Sequence, residues 1–376
     1  MSVDRQADIP RLLDSETDQE LRAAVRRMLE DRSPWPEVLA FVATPQPHLE
    51  KVWQGLATDL GLTGLRIPED LGGTGARAST VAVVLEELGR AAAPVPYLGS
   101  AVMATQALLA ARDTELLEPL SAGTTTVALA VPFASTAYQA PPALGLAGGR
   151  VSGTVTSVAD ARAADSLLVL VPEGLYAVAV SSDAVTRAPV ASLDPTRPLC
   201  DLALTDAPAR RVLAGADGRA AVEAALTAAA ALLASEQLGV AQWCLETTVG
   251  YVKERKQFGR PVGSFQALKH RLADLWAEVI SCQAVARYAA TTLDGADALD
   301  LGAEPRLAAA LAQAHCGPVA VRAAEACIQL HGGIGFTWEH PAHLYLKRAK
   351  SAAIALGSAD RHRAALATMV DLPPAG

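Results

Sequence analysis

The sequence predicts an α+β protein in which two helical regions flank a region of short strands. Three observations lead to this prediction. Apolar residues recur at helical spacing up to about residue 123, β-branched runs separated by Gly, Pro, Asp and Ser occupy residues 124–213, and helical spacing returns from residue 214. We therefore predict an N-terminal helical domain (1–123), a middle β-sheet or β-barrel domain (124–213) and a C-terminal helical bundle (214–376).

Length and composition fit an ordered multi-domain protein. The chain has 376 residues, of which 51% are hydrophobic and 19% charged, so a large core is expected. The net charge of −8 and the lack of a basic stripe with interleaved aromatics argue against nucleic acid as a partner. Five scattered cysteines without a C-x-x-C pair predict reduced thiols in a cytoplasmic protein, with no disulfide framework and no metal site.

The N-terminal region is predicted to be helical. Leu21, Val25 and Leu29 recur at helical spacing. Helices are expected over 18–31, 49–60, 80–90 and 101–111. The first residues include Asp4 and Asp8 and therefore carry no apolar signal-peptide core, which again favours the cytoplasm.

The middle region is predicted to form a small antiparallel sheet or barrel. Its apolar runs are short, rich in β-branched residues and without helices between them. Strands are expected over 124–131, 150–155, 167–171, 175–180 and 199–204.

The C-terminal region is predicted to be a bundle around one long helix, Ala220–Val252. Its most apolar run, Ala220–Leu233, is mostly alanine, so we expect a buried helix and no membrane span. Further helices are expected over 268–293, 306–330, 341–354 and 359–370.

A basic, glycine-containing turn between two helices is the first candidate site. Residues 254–266 read Glu-Arg-Lys-Gln-Phe-Gly-Arg-Pro-Val-Gly-Ser-Phe-Gln, and Ser264 is a candidate N-cap for the helix that follows. Arginine side chains beside a helix N-terminus bind phosphate well, because both supply N–H donors. The alternative interpretation is a solvated basic loop.

The second candidate site is Gln329–Phe336, which reads Gln-Leu-His-Gly-Gly-Ile-Gly-Phe after a long helix. Consecutive glycines let a ligand or another backbone approach closely. A helix stop is the alternative, although it needs only one glycine.

The pattern Arg-Lys-x-Phe-Gly-x-Pro-(x)3-Phe-Gln over 255–266 resembles the signature of acyl-CoA dehydrogenases, flavoenzymes that desaturate acyl-CoA thioesters. The helical, β, helical order is similar to that family over essentially the full length, and Leu193–Arg197 matches its Leu-Asp-x-Thr-Arg element. The resemblance implies that both candidate sites bind FAD across a subunit interface, with Arg255 on the pyrophosphate. The implied FAD contacts are Arg255, Gln257, Phe258, Gln266, Gln329, Gly332 and Gly333.

The middle region departs from the family pattern. The family's Thr-Glu-Pro-x-x-Gly-Ser element holds the isoalloxazine ring, and here residues 130–136 read Ala-Val-Pro-Phe-Ala-Ser-Thr. A Trp-Ile-Thr/Ser element is also missing, with Val155–Val158 nearby. The resemblance therefore implies that this chain's own middle domain holds flavin weakly or not at all.

The catalytic base of the family is also missing, so the sequence identifies no catalytic residue. Desaturation needs a carboxylate near Cα, and the two positions that supply it in the family hold Leu356 and Ala229. Two other acids are candidates: Glu236, about 10.5 Å along the helix from Ala229, and Asp360, about 6 Å from Leu356. Structural or interfacial roles are the alternative for both.

These features predict the base-lacking subunit of a hetero-oligomeric acyl-CoA dehydrogenase. The chain resembles the α2β2 enzymes that shorten steroid side chains, which implies a homologous Glu-bearing partner, an acyl-CoA substrate and an electron-transfer flavoprotein as a candidate acceptor. Two alternatives remain open. One is a self-sufficient homo-oligomer that uses Asp360 or Glu236, and the other is an inactive acyl-CoA-binding relative.

Overall fold

A computed structural model describes residues 12–43, 48–139, 141–181 and 183–372. The N-terminal region is helical, as predicted, and α1 begins with a capping box between Ser15 and Asp18. Its helices are α1 (Glu16–Arg32), α2 (Trp35–Ala43), α3 (His48–Gln54), α4 (Ala78–Arg90), α5 (Thr105–Ala111) and α6 (Thr114–Ser121). Two stretches, Gly55–Asp59 and Leu98–Ala104, are π-helical.

The middle region contains eight strands in two four-stranded sheets. The strands are β1 (Val127–Leu129), β2 (Gly145–Ala147), β3 (Arg150–Ala159), β4 (Ser166–Val171), β5 (Gly174–Ala179), β6 (Val185–Val190), β7 (Leu199–Pro208) and β8 (Arg210–Ala214). The orders are β1-β4-β5-β8 and β2-β3-β7-β6. The prediction of an all-antiparallel sheet is wrong at one place, because β1 pairs parallel with β4.

The two sheets share an apolar core that includes Val155 and Leu202 from one sheet and Leu167 and Val169 from the other. The opposite face of the first sheet, with Leu168 and Leu170, packs against the helices. The sheets therefore fix the middle domain on the helical core.

The C-terminal region is a helical bundle with one small β-hairpin between its first two helices. Its elements are α7 (Gly215–Glu254), β9 (Lys256–Gln257), β10 (Arg260–Pro261), α8 (Gln266–Thr291), α9 (Ala303–His331), α10 (Ala342–Ala352) and α11 (Ala359–Met369). The predicted fold class, helical, then β, then helical, is confirmed. The five cysteines are free and buried.

Helix α7 is the centre of this core. By length and composition it could cross a membrane, but its most apolar 18-residue window is entirely buried in the protein. The backbones of α7 and α4 are in close contact. A Cβ atom added to Gly89 of α4 would lie 2.1 Å from the carbonyl oxygen of Glu236 in α7. The predicted buried helix is therefore the helix on which the rest of the bundle packs.

Helices α7 and α9 run in the same direction. The side chain of Gln237 bonds Gln313 at 3.1 Å, and further along both helices the rings of Tyr251 and His331 stack at 4.4 Å. The two helices therefore end at the same end of the bundle, where both candidate sites lie.

Candidate functional site

The segment after α7 is a β-hairpin and not the simple turn that the sequence suggested. Phe258 and Gly259 form its tip with φ values of +53° and +75°, and Arg260 pairs with Gln257. Two central residues with positive φ are typical of a type I′ hairpin turn. The hairpin fixes the direction in which the basic side chains project.

The prediction that Ser264 caps the next helix is wrong. Its hydroxyl donates to the carbonyl of Pro261 at 2.7 Å, because residues 262–264 form a 3₁₀ turn. Helix α8 starts at Gln266 after an extended Phe265 and has no side-chain cap. Its first N–H groups therefore remain available.

The hairpin presents unneutralised cations around an exposed aromatic ring. Phe258 is 89% exposed, and the guanidinium of Arg260 lies 4.0 Å from the ring centroid of Phe265. The side chains of Arg255 and Gln257 are exposed and bond nothing in the described part of the chain. Such a projection suits the phosphates and rings of a nucleotide.

The glycine loop after α9 is open on its outer side. A Cβ on Gly332 or on Gly333 would meet no atom within 4 Å. The positive φ of Gly332, +63°, favours glycine there, whereas Gly333 has neither a positive φ nor a close neighbour. The surroundings of Gly333 are therefore open, and a ligand or another chain could approach its backbone closely.

The two segments are held together by His331. Its ring stacks on Tyr251, whose carbonyl accepts the backbone N–H of Arg255 at 2.9 Å. Burial opposes protonation of this ring, but its hydrogen bonds with Cys327 outweigh burial and raise the pKa of His331.

The predicted FAD contacts share one property, which is that they are all exposed: Arg255, Gln257, Phe258, Gln266, Gln329, Gly332 and Gly333. Gln266 reaches back along α8 to the ring of His270, 2.8 Å away. All seven are therefore accessible to a ligand or to a second chain.

The middle domain does not fit the isoalloxazine ring. The backbone N–H of Phe133 donates to the backbone carbonyl of Ser157 at 2.9 Å. The backbone carbonyl of Phe133 accepts from the backbone N–H of Leu356 at 2.7 Å. The Phe133 ring is buried and lies 5.2 Å from the guanidinium carbon of Arg197. The segment that holds the ring in the family is here paired with its own chain.

The two base positions hold buried hydrocarbon. Ala229 and Leu356 are at most 1% exposed. Leu356 has a φ of +55°. The ring of His362 donates from Nε2 to the carbonyl of Leu356 at 3.1 Å, and its Nδ1 accepts from the hydroxyl of Tyr138. Burial lowers the pKa of His362 to about 4, so this ring is neutral at pH 7.

Neither Glu236 nor Asp360 is positioned to act as the catalytic base. Burial alone would raise the pKa of Glu236, but Arg197 and Arg348 outweigh it and lower that pKa. Glu236 is therefore ionised and fully paired, at 2.5 Å from Arg197 and 2.8 Å from Arg348. The carboxylate of Asp360 is 90% exposed and bonds Arg363 at 2.7 Å.

Sequence reasoning missed the ionic cluster around Glu236. Arg348 donates to the hydroxyl of Thr196 at 3.0 Å and lies 3.5 Å from Asp194. The signal was present in the Leu193–Arg197 element, whose polar side chains turn inward. Among the described residues, no group of His, Cys, Asp and Glu side chains could hold a metal ion.

Comparison with known proteins agrees with the resemblance. The acyl-CoA dehydrogenase C-terminal domain matches residues 216–370, and the N-terminal domain matches residues 15–115. Acyl-CoA dehydrogenase IpdE2 of Mycobacterium tuberculosis is 36% identical over 351 residues, which cover 90% of this chain and 93% of that protein.

Two solved structures are similar over nearly the whole chain. The ChsE4–ChsE5 complex from Mycobacterium tuberculosis contains a chain that is 28% identical with a TM-score of 0.80, covering 97% of this chain and 100% of that one. A variant of the Tcur3481–Tcur3483 steroid acyl-CoA dehydrogenase is 29% identical with a TM-score of 0.79, covering 95% and 98%.

Proposed function

Because the chain belongs to the acyl-CoA dehydrogenase family, whose members are FAD-dependent oxidoreductases, we propose that it is the base-lacking subunit of a hetero-oligomeric enzyme. One observation carries the proposal. The predicted FAD contacts are exposed and open, whereas both positions that supply the base hold buried hydrocarbon. Such a chain is equipped to complete a neighbour's cofactor site and not to run the reaction by itself.

The chain's own residues have defined roles in this assembly. Arg255 would hold the pyrophosphate of FAD through charge-assisted hydrogen bonds, and Phe258 would shield the cofactor from water. Gly332 and Gly333 let the cofactor approach the end of α9. The FAD held there would supply the hydride acceptor for the desaturation. The α proton goes to a glutamate of the partner, because Leu356 and Ala229 cannot accept one.

The similar structures support a proposal for the substrate and the assembly. One of them is described as a steroid acyl-CoA dehydrogenase, and each is named for two different proteins, Tcur3481–Tcur3483 and ChsE4–ChsE5. We therefore propose a bulky, steroid-derived acyl-CoA substrate and an α2β2 heterotetramer. The five free cysteines support the further proposal of a cytoplasmic location. An electron-transfer flavoprotein is the proposed electron acceptor.

Visible absorbance tests the proposal. The chain is purified alone and after co-expression with a Glu-bearing homologue, and each preparation is assayed for flavin and acyl-CoA desaturation. Flavin and activity that appear only with the partner are expected. Yellow, active protein from the chain alone would favour a self-sufficient enzyme, and no flavin in either preparation would favour an inactive relative.

A further inference from the structure

The two candidate cofactor segments, the hairpin and the glycine loop, are not bonded to each other. In the described part of the chain, no hydrogen bond or ion pair joins residues 332–339 to residues 255–266. Two segments that bind one ligand do so best when their separation is already fixed, because ordering them on binding costs free energy. Any such fixed separation must come from the elements to which the two segments are attached.

Three side-chain rings meet where the two segments begin and end. Tyr251 is in the last turn of α7, His331 is the last residue of α9, and His340 lies just before α10. The ring centroids of Tyr251 and His331 are 4.4 Å apart, and those of His331 and His340 are 4.1 Å apart. We call these three residues the ring cluster. The ring of His331 contacts rings from two other elements at once.

Hydrogen bonds to the backbone orient both histidine rings of the cluster. Nδ1 of His331 donates to the carbonyl oxygen of Cys327 at 2.7 Å, and Nδ1 of His340 accepts from the backbone N–H of Ala342 at 3.3 Å. Burial lowers the pKa of His340 to about 4, so this ring is neutral at pH 7 and does not repel a charge on His331. Each histidine ring is therefore held by the backbone as well as by its neighbour.

The ring cluster is attached to both candidate segments. The carbonyl of Tyr251 accepts the backbone N–H of Arg255 at 2.9 Å, where the hairpin begins. His331 and His340 flank residues 332–339, so the contact between their rings brings the two ends of the glycine loop together. A chain of contacts therefore runs from the hairpin through the three rings to the loop.

A second aromatic contact holds the glycine loop to α10 alone. The ring of Trp338 makes a T-shaped contact with His343 at 4.5 Å, and Nζ of Lys347 lies 5.3 Å from the centroid of the Trp338 ring. Both partners of Trp338 belong to α10, so this contact supports the loop without setting its distance from the hairpin. The ring cluster does include a residue of α7, the helix from which the hairpin continues.

We propose that Tyr251, His331 and His340 are positioning residues for the cofactor site. They hold the hairpin and the glycine loop at the separation that one FAD molecule requires, so the site is formed before the cofactor and the partner chain arrive. The role requires no contact between these rings and FAD. The inference rests on the proposed function for the identity of the bound group.

The first experiment removes one ring of the cluster. Tyr251→Leu deletes the contact with His331, whereas Tyr251→Phe keeps it and loses only a hydroxyl that forms no hydrogen bond with the described residues. FAD is titrated into the complex of each variant with the Glu-bearing partner. We expect Tyr251→Leu to weaken FAD binding about tenfold and Tyr251→Phe to stay within about twofold of the natural chain. Turnover at saturating FAD should be equal in all three, because the partner carries the base.

A ring contact outside the cluster controls for lost stability. Tyr345 stacks on Trp243 at 3.6 Å and donates to the carbonyl of Arg90 at 2.5 Å, so Tyr345→Leu should lower the melting temperature at least as much as Tyr251→Leu. We expect its FAD affinity to stay within about twofold of the natural chain. FAD affinities that simply follow the melting temperatures of the variants would overturn the positioning role, as would unchanged affinity in Tyr251→Leu.

The second experiment tests the other end of the cluster. His340→Phe and His340→Leu both lose the acceptor for the N–H of Ala342, and only the first keeps a ring against His331. We expect FAD affinity to fall several times further in His340→Leu than in His340→Phe. Equal losses would assign the effect to the hydrogen bond and overturn the role of the rings.

These measurements also separate the inference from the proposed function. If the natural chain binds FAD and desaturates acyl-CoA without a partner, the proposed function is wrong, and the same comparison of variants in that protein decides the positioning role. If flavin binding needs the partner and Tyr251→Leu binds FAD as tightly as the natural chain, the proposed function stands and the positioning role is wrong.

Discussion

At the scale of single residues, Gly333 and Gly335 show two different reasons for glycine. A Cβ on Gly335 would lie 2.5 Å from the carbonyl oxygen of Ile328, so the fold itself needs glycine there. A Cβ on Gly333 would meet nothing. The fold therefore requires glycine at 335 and leaves room for a side chain at 333.

We predict that Gly333→Ala leaves stability within about 0.5 kcal/mol of the natural chain, since the site is open and the backbone ordinary. The same substitution should weaken FAD binding in the heteromer, because the added methyl occupies the approach to the cofactor. Gly335→Ala is the matched control and should cost about 1–3 kcal/mol by overpacking. Chemical denaturation and FAD titration measure the two effects, and unaltered FAD affinity in Gly333→Ala would contradict this role.

Arg255 is the residue whose charge best defines the cofactor site. Its guanidinium is exposed and has no hydrogen bond or ion pair within the described ranges. We predict that Arg255→Ala lowers FAD affinity about ten- to a hundredfold, because a charge-assisted phosphate contact is worth about 1.5–3 kcal/mol. Helical content by circular dichroism should stay the same. Arg219→Ala, at the other end of α7, is the control, and equal FAD affinity in both variants would make the hairpin a solvated loop.

At the scale of elements, the long helices were predictable, whereas the short helices α2 and α6 and several strands were not. Apolar spacing predicts a helix over 268–293, and α8 covers Gln266–Thr291. Strand β6 was missed because its residues are largely exposed and include Pro189, so no alternating pattern marks it. The parallel pairing of β1 with β4 depends on how the chain returns across the sheet, which local patterns do not report.

The contact between α11 and the middle domain should make stability depend on pH. The pKa of His362 is lowered by burial to about 4, below the ordinary value of 6.5. A depressed pKa contributes stability that is complete above about pH 6.5 and is lost as the pH falls towards 4, because the unfolded chain binds the proton first. The loss is about 3 kcal/mol on the scale of 1.4 kcal/mol per pKa unit.

Chemical denaturation between pH 4 and pH 7 measures this dependence. We expect His362→Gln to make the profile between pH 4 and 6.5 less steep, with the remaining slope coming from groups such as His340, whose pKa burial also lowers to about 4. The variant His270→Gln, at an exposed position of α8, should follow the natural chain. Parallel profiles for the natural chain and His362→Gln would show that this ring does not titrate on unfolding.

At the scale of the whole molecule, the candidate site was predictable only where its residues are close in sequence. Both exposed candidate segments stand out in the sequence because each is a contiguous motif, and their role in FAD binding stays a prediction. The ionic cluster was not found, because Glu236 pairs with residues 39 and 112 positions away. Asp360 was considered as a base from its distance to Leu356 along the chain, but its partner is Arg363 at the surface. Long-range pairing is decided by how the domains meet, and the sequence pattern carries little of that information.

The last prediction also concerns the whole molecule. The chain by itself should show no measurable acyl-CoA desaturation, even with FAD in excess. General base catalysis contributes about 10²–10⁴-fold to such reactions, and both base positions are buried hydrocarbon. Thioester desaturation is assayed with the isolated chain, with Asp360→Asn and with the Glu-bearing partner added. Activity that requires the partner and survives Asp360→Asn is the expected outcome, since the Asp360 carboxylate is turned to solvent. Activity of the isolated chain that Asp360→Asn abolishes would give this acid the role of base and require α11 to move towards the cleft.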